Sequence, residues 1–201
     1  CVTGLPDLDP YHHLRTAPAV GPVEELPTRT ERPTEPRYFA YLQTGAAADR
    51  ALNLLAATGV AGEVYVRGGA GSLGDKLKAA GVIVHETPPP LADVFARVRV
   101  VVHHGGQTTA AAALLAGRPQ LVFPGHLEQQ LTAVALHRLG VAHYLTGTEY
   151  PPGDVAEGLR QLLHDPGFAA RTAAVADRLA RGGRPDALGT IVARCREHLG
   201  A

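Results

Sequence analysis

The sequence predicts an α/β domain built on a doubly wound sheet of parallel strands, and three observations support this fold class. Short apolar runs alternate with helical patterns from residue 37 onward, which is the order of repeated strand–helix units. Glycine or proline separates most of these runs, so the connections between them are short. The run Val98–Val102 is the most apolar strand candidate, as expected at the centre of a parallel sheet covered on both faces.

Glycine and proline mark where the predicted strands end. Thr44-Gly45 ends the first strand, Gly68-Gly69 closes the second, and Pro124 ends the fifth, because these residues favour turns over extended structure. The predicted strands are Tyr38–Leu42, Glu63–Arg67, Val82–Val84, Val98–Val102, Leu121–Phe123 and Val141–Leu145.

The helices are predicted from apolar residues at helical spacing and from glycines that stop them, such as Gly59, Gly117 and Gly140. They are expected over Ala46–Thr58, Leu73–Ala80, Leu91–Ala96, Thr108–Ala116 and Glu128–Leu139. A helical C-terminal tail follows, in which Asp154 and the pair Asp165-Pro166 are N-cap and N1 candidates.

Residues 1–36 are predicted to be an interdomain linker that runs extended and rests on another part of the protein. Proline recurs there too often for a helix or a central strand. These prolines are Pro6, Pro10, Pro18, Pro22, Pro27, Pro33 and Pro36. Residues 37–201 are then the folded domain.

Composition excludes several classes of function. The 201 residues carry 19 basic and 19 acidic side chains, so no electrostatic footprint for nucleic acid is present. No apolar run approaches the roughly 20 residues that span a bilayer. Cys1 and Cys195 stand near opposite ends, which predicts no disulfide framework and favours a cytoplasmic protein.

The sequence begins with Cys1 and contains no methionine, which predicts that it is a piece of a larger protein or a trimmed chain. Arginine far outnumbers lysine, and alanine, glycine and proline are abundant. This bias is typical of a GC-rich genome, such as an actinobacterial one.

Three turns at predicted strand ends hold the candidate functional residues: Thr44-Gly45, His104–Thr109, and Pro124–Gln129. The second joins the most apolar strand to a helix, so its free backbone amides suit a phosphate, although the glycines alone also fit an ordinary turn. Glu128 and Gln129 suit sugar hydroxyls, and taken alone they also fit a solvated helix start.

These residues resemble a known family in order and spacing. The resemblance rests on Val102-His103-His104-Gly105-Gly106, Thr109, Ala116-Gly117, Pro119-Gln120, Pro124, Glu128-Gln129 and Ala133. The pattern is similar to the C-terminal half of GT-B glycosyltransferases of the UDP-glycosyltransferase-like family, in the bacterial branch that modifies macrolides and polyketides. It runs without gaps over residues 90–140 and less specifically from residue 37, and residues 5–10 and 20–23 resemble that family's interdomain linker.

The resemblance implies a Rossmann-like domain that binds a dTDP- or UDP-sugar without an obligatory metal or other cofactor. The donor diphosphate would be held by His104, Gly105, Gly106, Gln107, Thr108, Thr109 and, from the opposite wall, Thr44. Glu128, where the family usually has Asp, and Gln129 would bind the transferred hexose or deoxyhexose. The loop Glu86–Leu91 would frame the nucleobase through Thr87, Pro88, Pro90 and Leu91.

The sequence departs from the family pattern at three places. Thr108 replaces a usual glycine, which predicts a different backbone in that turn. The nucleobase loop lacks an aromatic residue. Ala112 replaces a glutamate that grips the ribose in many UDP-sugar enzymes, which favours a dTDP-sugar over a UDP-sugar.

The resemblance also implies that the general base and the pocket for a small natural-product acceptor belong to an N-terminal domain, which no segment here resembles. Inverting transfer needs that base to deprotonate the acceptor. This chain alone is therefore expected to bind the donor and to transfer little sugar. Two alternatives stay open: the donor half of a two-subunit enzyme, like the polyisoprenoid N-acetylglucosaminyl transferases, and a non-catalytic nucleotide-sugar sensor or scaffold. Homodimerisation is also left open.

The remaining histidines have simpler interpretations. His103 is predicted to be either a satisfied core residue or one that supports the site from behind, rather than a catalyst. His12 and His13 are predicted to be exposed in the linker. For His126 two interpretations are equally good: its side chain faces the cleft, or it is exposed to solvent in a turn.

Overall fold

Six short runs rich in β-branched and aromatic residues form one parallel sheet in the computed structural model, which describes residues 2–17, 19–147, 150–182 and 186–199. The strands are β1 (Tyr38–Gln43), β2 (Gly62–Arg67), β3 (Ile83–His85), β4 (Val100–His103), β5 (Gln120–Val122) and β6 (Ala142–Tyr144). The helices are α1 (Ala46–Ala57), α2 (Gly71–Ala79), α3 (Leu91–Phe95), α4 (Gln107–Leu115), α5 (Leu127–Arg138), α6 (Pro152–His164), α7 (Pro166–Arg181) and α8 (Ala187–Leu199). Cys1 and Pro18 lie outside the described residues.

The strand order is β3-β2-β1-β4-β5-β6, with every neighbouring pair parallel. The chain winds outward from β1 to β3, then crosses to β4 on the other side of β1. In such sheets ligands bind beyond the carboxyl ends of the strands, at this reversal of winding order. The crevice between the ends of β1 and β4 is therefore the expected ligand site.

Helices cover both faces of the sheet, which confirms the predicted doubly wound α/β class. On one face Tyr38, Ala40 and Leu42 of β1 belong to a core cluster shared with α1, α2 and α6. On the other face Phe39 packs with Val101 in a cluster shared with α3, α4 and α5. All four residues of β4 are buried, as its apolar sequence predicts.

The predicted elements are all present, with ends displaced by one or two residues at most strands and helices. The N-cap prediction at Asp165 is confirmed, since its carboxylate accepts a hydrogen bond from the Gly167 amide at 2.7 Å. The N-cap prediction at Asp154 is wrong. Helix α6 begins at Pro152 with Pro151 as its N-cap, because a proline with its fixed φ is well suited to the first helical position.

The N-terminal segment, residues 2–17 and 19–36, rests on the second face of the sheet. Among its described residues are two 3₁₀ turns, Pro6–Leu8 and His12–Leu14, and one bridge between Gly4 and Gly21, with no α-helix or longer strand. Leu5, Leu8 and Leu26 are buried in the core cluster of that face. The segment is thus packed against the sheet and its helices, and its role as an interdomain linker stays a prediction.

No helix in the described part of the chain is long and apolar enough to cross a membrane.

Candidate functional site

The turn between β4 and α4 leaves a group of backbone amides free at the crevice. Gly105 adopts a φ of +94° and Gly106 is extended as the N-cap of α4. The first hydrogen bond within the helix runs from the Ala110 amide to the Gly106 carbonyl at 3.0 Å, and no side chain caps the helix. The earlier amides therefore point outward beside the positive end of the helix dipole, an arrangement that binds phosphate.

Glycine is required at position 105 for two reasons. The positive φ disfavours any residue with a Cβ atom. A Cβ placed there would also lie 2.7 Å from the backbone oxygen of Gln129. The turn after β4 is thereby held against the first turn of α5, which brings two of the predicted ligand-binding turns together.

His103 is buried and fully hydrogen-bonded, as predicted. Its Nδ1 accepts a hydrogen bond from the Gly105 amide at 2.9 Å, so its Nε2 donates to Oε1 of Gln120 at 2.8 Å. Burial lowers the pKa of His103 to about 4, so the imidazole is neutral at pH 7. His103 shapes the turn from below and does not face the crevice.

His104 is half-buried and its ring stands against the turn. Its Nε2 lies 3.2 Å from the position of a Cβ atom on Gly106, whereas its Nδ1 is buried away from solvent. Burial lowers the pKa of His104 most, and the nearby charges of His126 and Arg67 lower it further, while the Tyr41 backbone raises it in part. The structure thus presents a neutral imidazole whose Nε2 lies next to the free amides.

Thr108 and Thr109 lie in the first turn of α4 with different exposure. Thr109 is buried, whereas Thr108 is exposed and its Oγ1 lies 3.5 Å from a carboxylate oxygen of Glu24 in the N-terminal segment. Among the residues described, positive φ occurs only at glycines. Thr108 therefore occupies this helical position without backbone strain.

The N-terminal segment also touches the preceding residue of the helix. The side-chain oxygen of Gln107 lies 3.2 Å from the position of a Cβ atom on Gly4. Both Gly4 and Glu24 thus approach the first turn of α4.

Thr44 follows β1 on the opposite side of the crevice. Its side chain is exposed, and its amide donates to the carbonyl of Arg67 at 2.9 Å. Because β1 and β4 are adjacent, Thr44 and His104 end neighbouring strands and flank the reversal point.

The loop Glu86–Leu91 follows β3, at the edge of the sheet two strands from β1. Its predicted base-framing residues are at least partly exposed: Thr87, Pro88, Pro90 and Leu91. The loop therefore lies beyond the carboxyl ends of the strands, on the β3 side of the crevice.

A buried ionic cluster that sequence reasoning missed supports this loop. Glu63 is 1% exposed and accepts two hydrogen bonds from Arg97, at 2.6 and 2.7 Å, while its Oε2 lies 2.9 Å from Nε2 of His85. Burial alone would raise the pKa of Glu63, but the hydrogen bonds from Arg97 and His85 hold it below its usual value. The cluster ties β2, β3 and α3 together on both sides of the loop.

The third turn leads into α5, where Glu128 is exposed in the first turn and His126 is the exposed N-cap residue. The Oε1 atom of Gln129 accepts a hydrogen bond from the Gly125 amide at 2.8 Å. Gln129 thus uses its oxygen to close its own turn, and its NH₂ group is left for a ligand. His126 lies close enough to His104 to lower that residue's pKa, so it stands near the crevice.

Within residues 2–17, 19–147, 150–182 and 186–199, no group of three or more His, Cys, Asp or Glu side chains could hold a metal ion. The polar groups at the crevice are backbone amides, hydroxyls, an imidazole and a carboxylate. Such a set suits an anionic ligand that also carries hydroxyl groups.

Known proteins resemble this chain in sequence and in fold. The family model described as "Erythromycin biosynthesis protein CIII-like, C-terminal domain" matches residues 56–196. Elloramycin glycosyltransferase ElmGT of Streptomyces olivaceus is 42% identical over 90 residues, which cover 45% of this chain and 22% of ElmGT.

Solved structures of glycosyltransferases have the same fold. Spinosyn forosaminyltransferase SpnP is 26% identical with a TM-score of 0.64, over 85% of this chain and 45% of SpnP. Spinosyn rhamnosyltransferase SpnG, solved with thymidine diphosphate, is 21% identical with a TM-score of 0.69, over 93% of this chain and 54% of SpnG. The chain thus corresponds to about half the length of these two enzymes and to less of ElmGT.

Proposed function

The chain belongs to the family of erythromycin biosynthesis protein CIII-like C-terminal domains, and we propose from this premise that it is the donor-binding half of an inverting glycosyltransferase. The donor would be a hexose or deoxyhexose carried on a nucleoside diphosphate, and the acceptor a small natural product. The observation that carries the proposal is the uncapped N-terminus of α4, with Nε2 of His104 beside it.

The chemistry follows from where negative charge develops. When the glycosidic bond to phosphate breaks, the diphosphate leaves with an additional charge. The free amides of α4 and a hydrogen bond from neutral His104 would stabilise that charge, as preorganised donors do in other enzymes. The proposed stabilisation uses no metal ion, whether held by the chain or carried in with the donor.

The sugar would lie towards α5. The carboxylate of Glu128 can accept hydrogen bonds from two hydroxyl groups, and the NH₂ group of Gln129 can donate one. Both residues begin the helix that packs against the diphosphate turn at Gly105, so the sugar and diphosphate positions would be adjacent.

We further propose that thymidine diphosphate is preferred over uridine diphosphate. Ala112 is completely buried in α4, so it offers no polar group to a ribose 2′-hydroxyl, which deoxyribose lacks. SpnG, a protein of the same fold, was solved with thymidine diphosphate.

Titration calorimetry of dTDP and UDP into the chain tests the proposal. We expect both to bind, dTDP more tightly, and the His104→Ala variant to lose most of this affinity. His12→Ala is the matched control, because His12 is exposed in the N-terminal segment and should not matter. If neither nucleotide binds at millimolar concentration, the donor-binding proposal is wrong.

Glu128→Ala separates the sugar position from the diphosphate position. We expect this variant to bind dTDP as the wild-type chain does and to lose affinity only for a dTDP-hexose. Equal losses for both ligands would contradict the role proposed for Glu128.

We also propose that the chain alone does not transfer sugar. An inverting transfer needs a base to deprotonate the acceptor, and the described histidines at the crevice, His104 and His126, have no carboxylate partner. Incubation of the chain with a dTDP-hexose and an aglycone should yield no glycoside, whereas a product formed at enzymatic rates would overturn this proposal.

A further inference from the structure

The crevice contains few permanent positive charges for a ligand that carries at least two negative ones. His104 has a lowered pKa, so at pH 7 it supplies a hydrogen bond and no full charge. Two carboxylates, Glu24 and Glu128, are exposed at the same edge. A cation is needed to offset them, and Arg67 is one that the sequence analysis did not identify.

Arg67 is the last residue of β2 and stands directly beside the crevice. It lies in register with Gln43 of β1, and its carbonyl accepts the hydrogen bond from the Thr44 amide at 2.9 Å. Gly68 and Gly69 follow with φ values of +96° and +90°, so the strand ends sharply after Arg67.

The side chain of Arg67 projects from the same face of the sheet as Tyr65 and Tyr41, whose rings form a row that ends at His104. Alternate residues of a strand share a face, so Arg67 and Tyr65 project together. The Tyr65 and Tyr41 rings lie 5.4 Å apart between centroids, and the Tyr41 and His104 rings lie 6.1 Å apart. The charge of Arg67 is close enough to disfavour protonation of His104.

The guanidinium of Arg67 is exposed and makes no ion pair or hydrogen bond within the described residues. By contrast, Arg97 is paired with Glu63 and Arg118 is bound to backbone carbonyls. An arginine without a partner beside a set of free amides is available to a ligand.

We propose that Arg67 binds the diphosphate of the donor from the side opposite to α4. This inference rests on the proposed function. In the sheet, β2 lies between β3, which precedes the nucleobase loop, and β1, so a nucleotide that spans from that loop to α4 passes the end of β2. A guanidinium can bind two phosphate oxygens at once, and it would supply the charge that a neutral His104 does not.

Calorimetry with three ligands tests this assignment in the whole chain. Arg67→Gln should weaken dTDP binding by about tenfold, the size expected for a charge-assisted hydrogen bond, and should leave thymidine binding unchanged. The binding of inorganic pyrophosphate should be weakened by a similar factor in this variant. Arg67→Lys should retain part of the affinity, because it keeps the charge and loses the bidentate geometry.

Arg160→Gln is the matched control. Arg160 is an exposed arginine on α6 that pairs with Glu157, and its loss should alter none of the three affinities. The dTDP affinity of wild type should also fall more steeply with salt than that of Arg67→Gln, since one ionic contact is absent from the variant.

Two results would overturn the inference while leaving the proposed function in place. One is dTDP binding by Arg67→Gln that equals wild-type binding. The other is an equal loss of thymidine and dTDP affinity, which would assign Arg67 to the nucleobase. Failure of the wild-type chain to bind dTDP, UDP and pyrophosphate would instead remove the proposed function, and this inference with it.

Discussion

Adjacent histidines at the end of β4 differ because their rings project to opposite environments. His103 points into the core, where Gly105 and Gln120 satisfy both ring nitrogens. His104 lies at the crevice, with its Nδ1 buried away from solvent. Both have a lowered pKa, in each case first through burial, yet only His104 places a ring nitrogen, Nε2, beside the first turn of α4.

The buried His103 predicts a pH dependence of stability. Its pKa falls from 6.5 to about 4 on folding, so the unfolded chain binds the proton more tightly. Its contribution to stability is therefore complete above pH 6.5 and is lost as the pH falls towards 4. The full loss is on the order of 3 kcal/mol.

Denaturant unfolding at pH 7.5, 6 and 5 measures this effect. In His103→Asn, where the side-chain oxygen can still accept from the Gly105 amide, the free energy of unfolding should fall less between pH 7.5 and 5. Equal falls in the variant and the wild type would show that other groups cause the acid sensitivity.

At the scale of elements, the turn before α4 depends on the missing Cβ of Gly105. An alanine there needs φ near +94° and meets the Gln129 carbonyl at 2.7 Å. Gly59 also has a positive φ, +69°, but has nothing within 4 Å of its Cβ position. An alanine at either position would strain the backbone, but only an alanine at position 105 would also clash with a neighbouring atom.

We expect Gly105→Ala to lower the free energy of unfolding by about 1–3 kcal/mol more than Gly59→Ala does, because only the former must displace α5. Gly105→Ala should also lose dTDP binding, while Gly59→Ala keeps it. Urea unfolding and calorimetry test both statements. A Gly105→Ala variant that is as stable as Gly59→Ala would mean that α5 moves freely.

Local sequence signals were sufficient to predict the succession of strands and helices, because turn residues and apolar runs act over a few positions. They misjudged the start of α6, where two good N-terminal signals compete: the Pro151-Pro152 pair and Asp154. The positions of the three candidate turns could be predicted because each directly follows a strand, while their role in ligand binding stays a prediction.

Contacts between residues distant in sequence could not be predicted this way. Nothing near Glu63 in the sequence indicates that Arg97, 34 positions later, neutralises it. Arg118 stands in a Gly-Arg-Pro turn and is nonetheless 1% exposed. The side on which Arg67 leaves the sheet depends on strand register, which only the assembled sheet defines.

At the scale of the whole molecule, the N-terminal segment is fastened to the domain by arginines. Arg118 donates to the carbonyls of Phe95 and Glu31, at 2.8 and 2.7 Å, and to the hydroxyl of Thr30. Arg99 donates to the carbonyl of Pro33 at 2.8 Å. Because this same segment carries Glu24 to the first turn of α4, its docking and the shape of the crevice are linked.

Ion pairs on the surface hold the segment to α7. Arg178 pairs with Asp7 and Arg29 pairs with Asp177, at 2.5 and 2.6 Å. These pairs are partly exposed, so each contributes little to stability. The buried contacts of Arg118 should therefore matter more for keeping the segment in place.

Arg118→Met tests how firmly the segment is held. Burial, with repulsion from Arg32 and Arg29, lowers the pKa of Arg118 to about 10, so the side chain is still charged at pH 7. Methionine relieves the cost of burying that charge but leaves the carbonyls of Phe95 and Glu31 without a donor. The net loss in free energy of unfolding should be about 2 kcal/mol.

The same variant should open the segment locally. Trypsin cleaves after Arg29 but not after Arg32, which Pro33 follows. In Arg118→Met, native-state cleavage after Arg29 should accelerate, because local opening becomes easier. Arg160→Met, which loses only the exposed pair with Glu157, should be cleaved there at the wild-type rate. If Arg118→Met resists trypsin as the wild type does, the buried leucines of the segment, Leu5 and Leu8, hold it without the arginine.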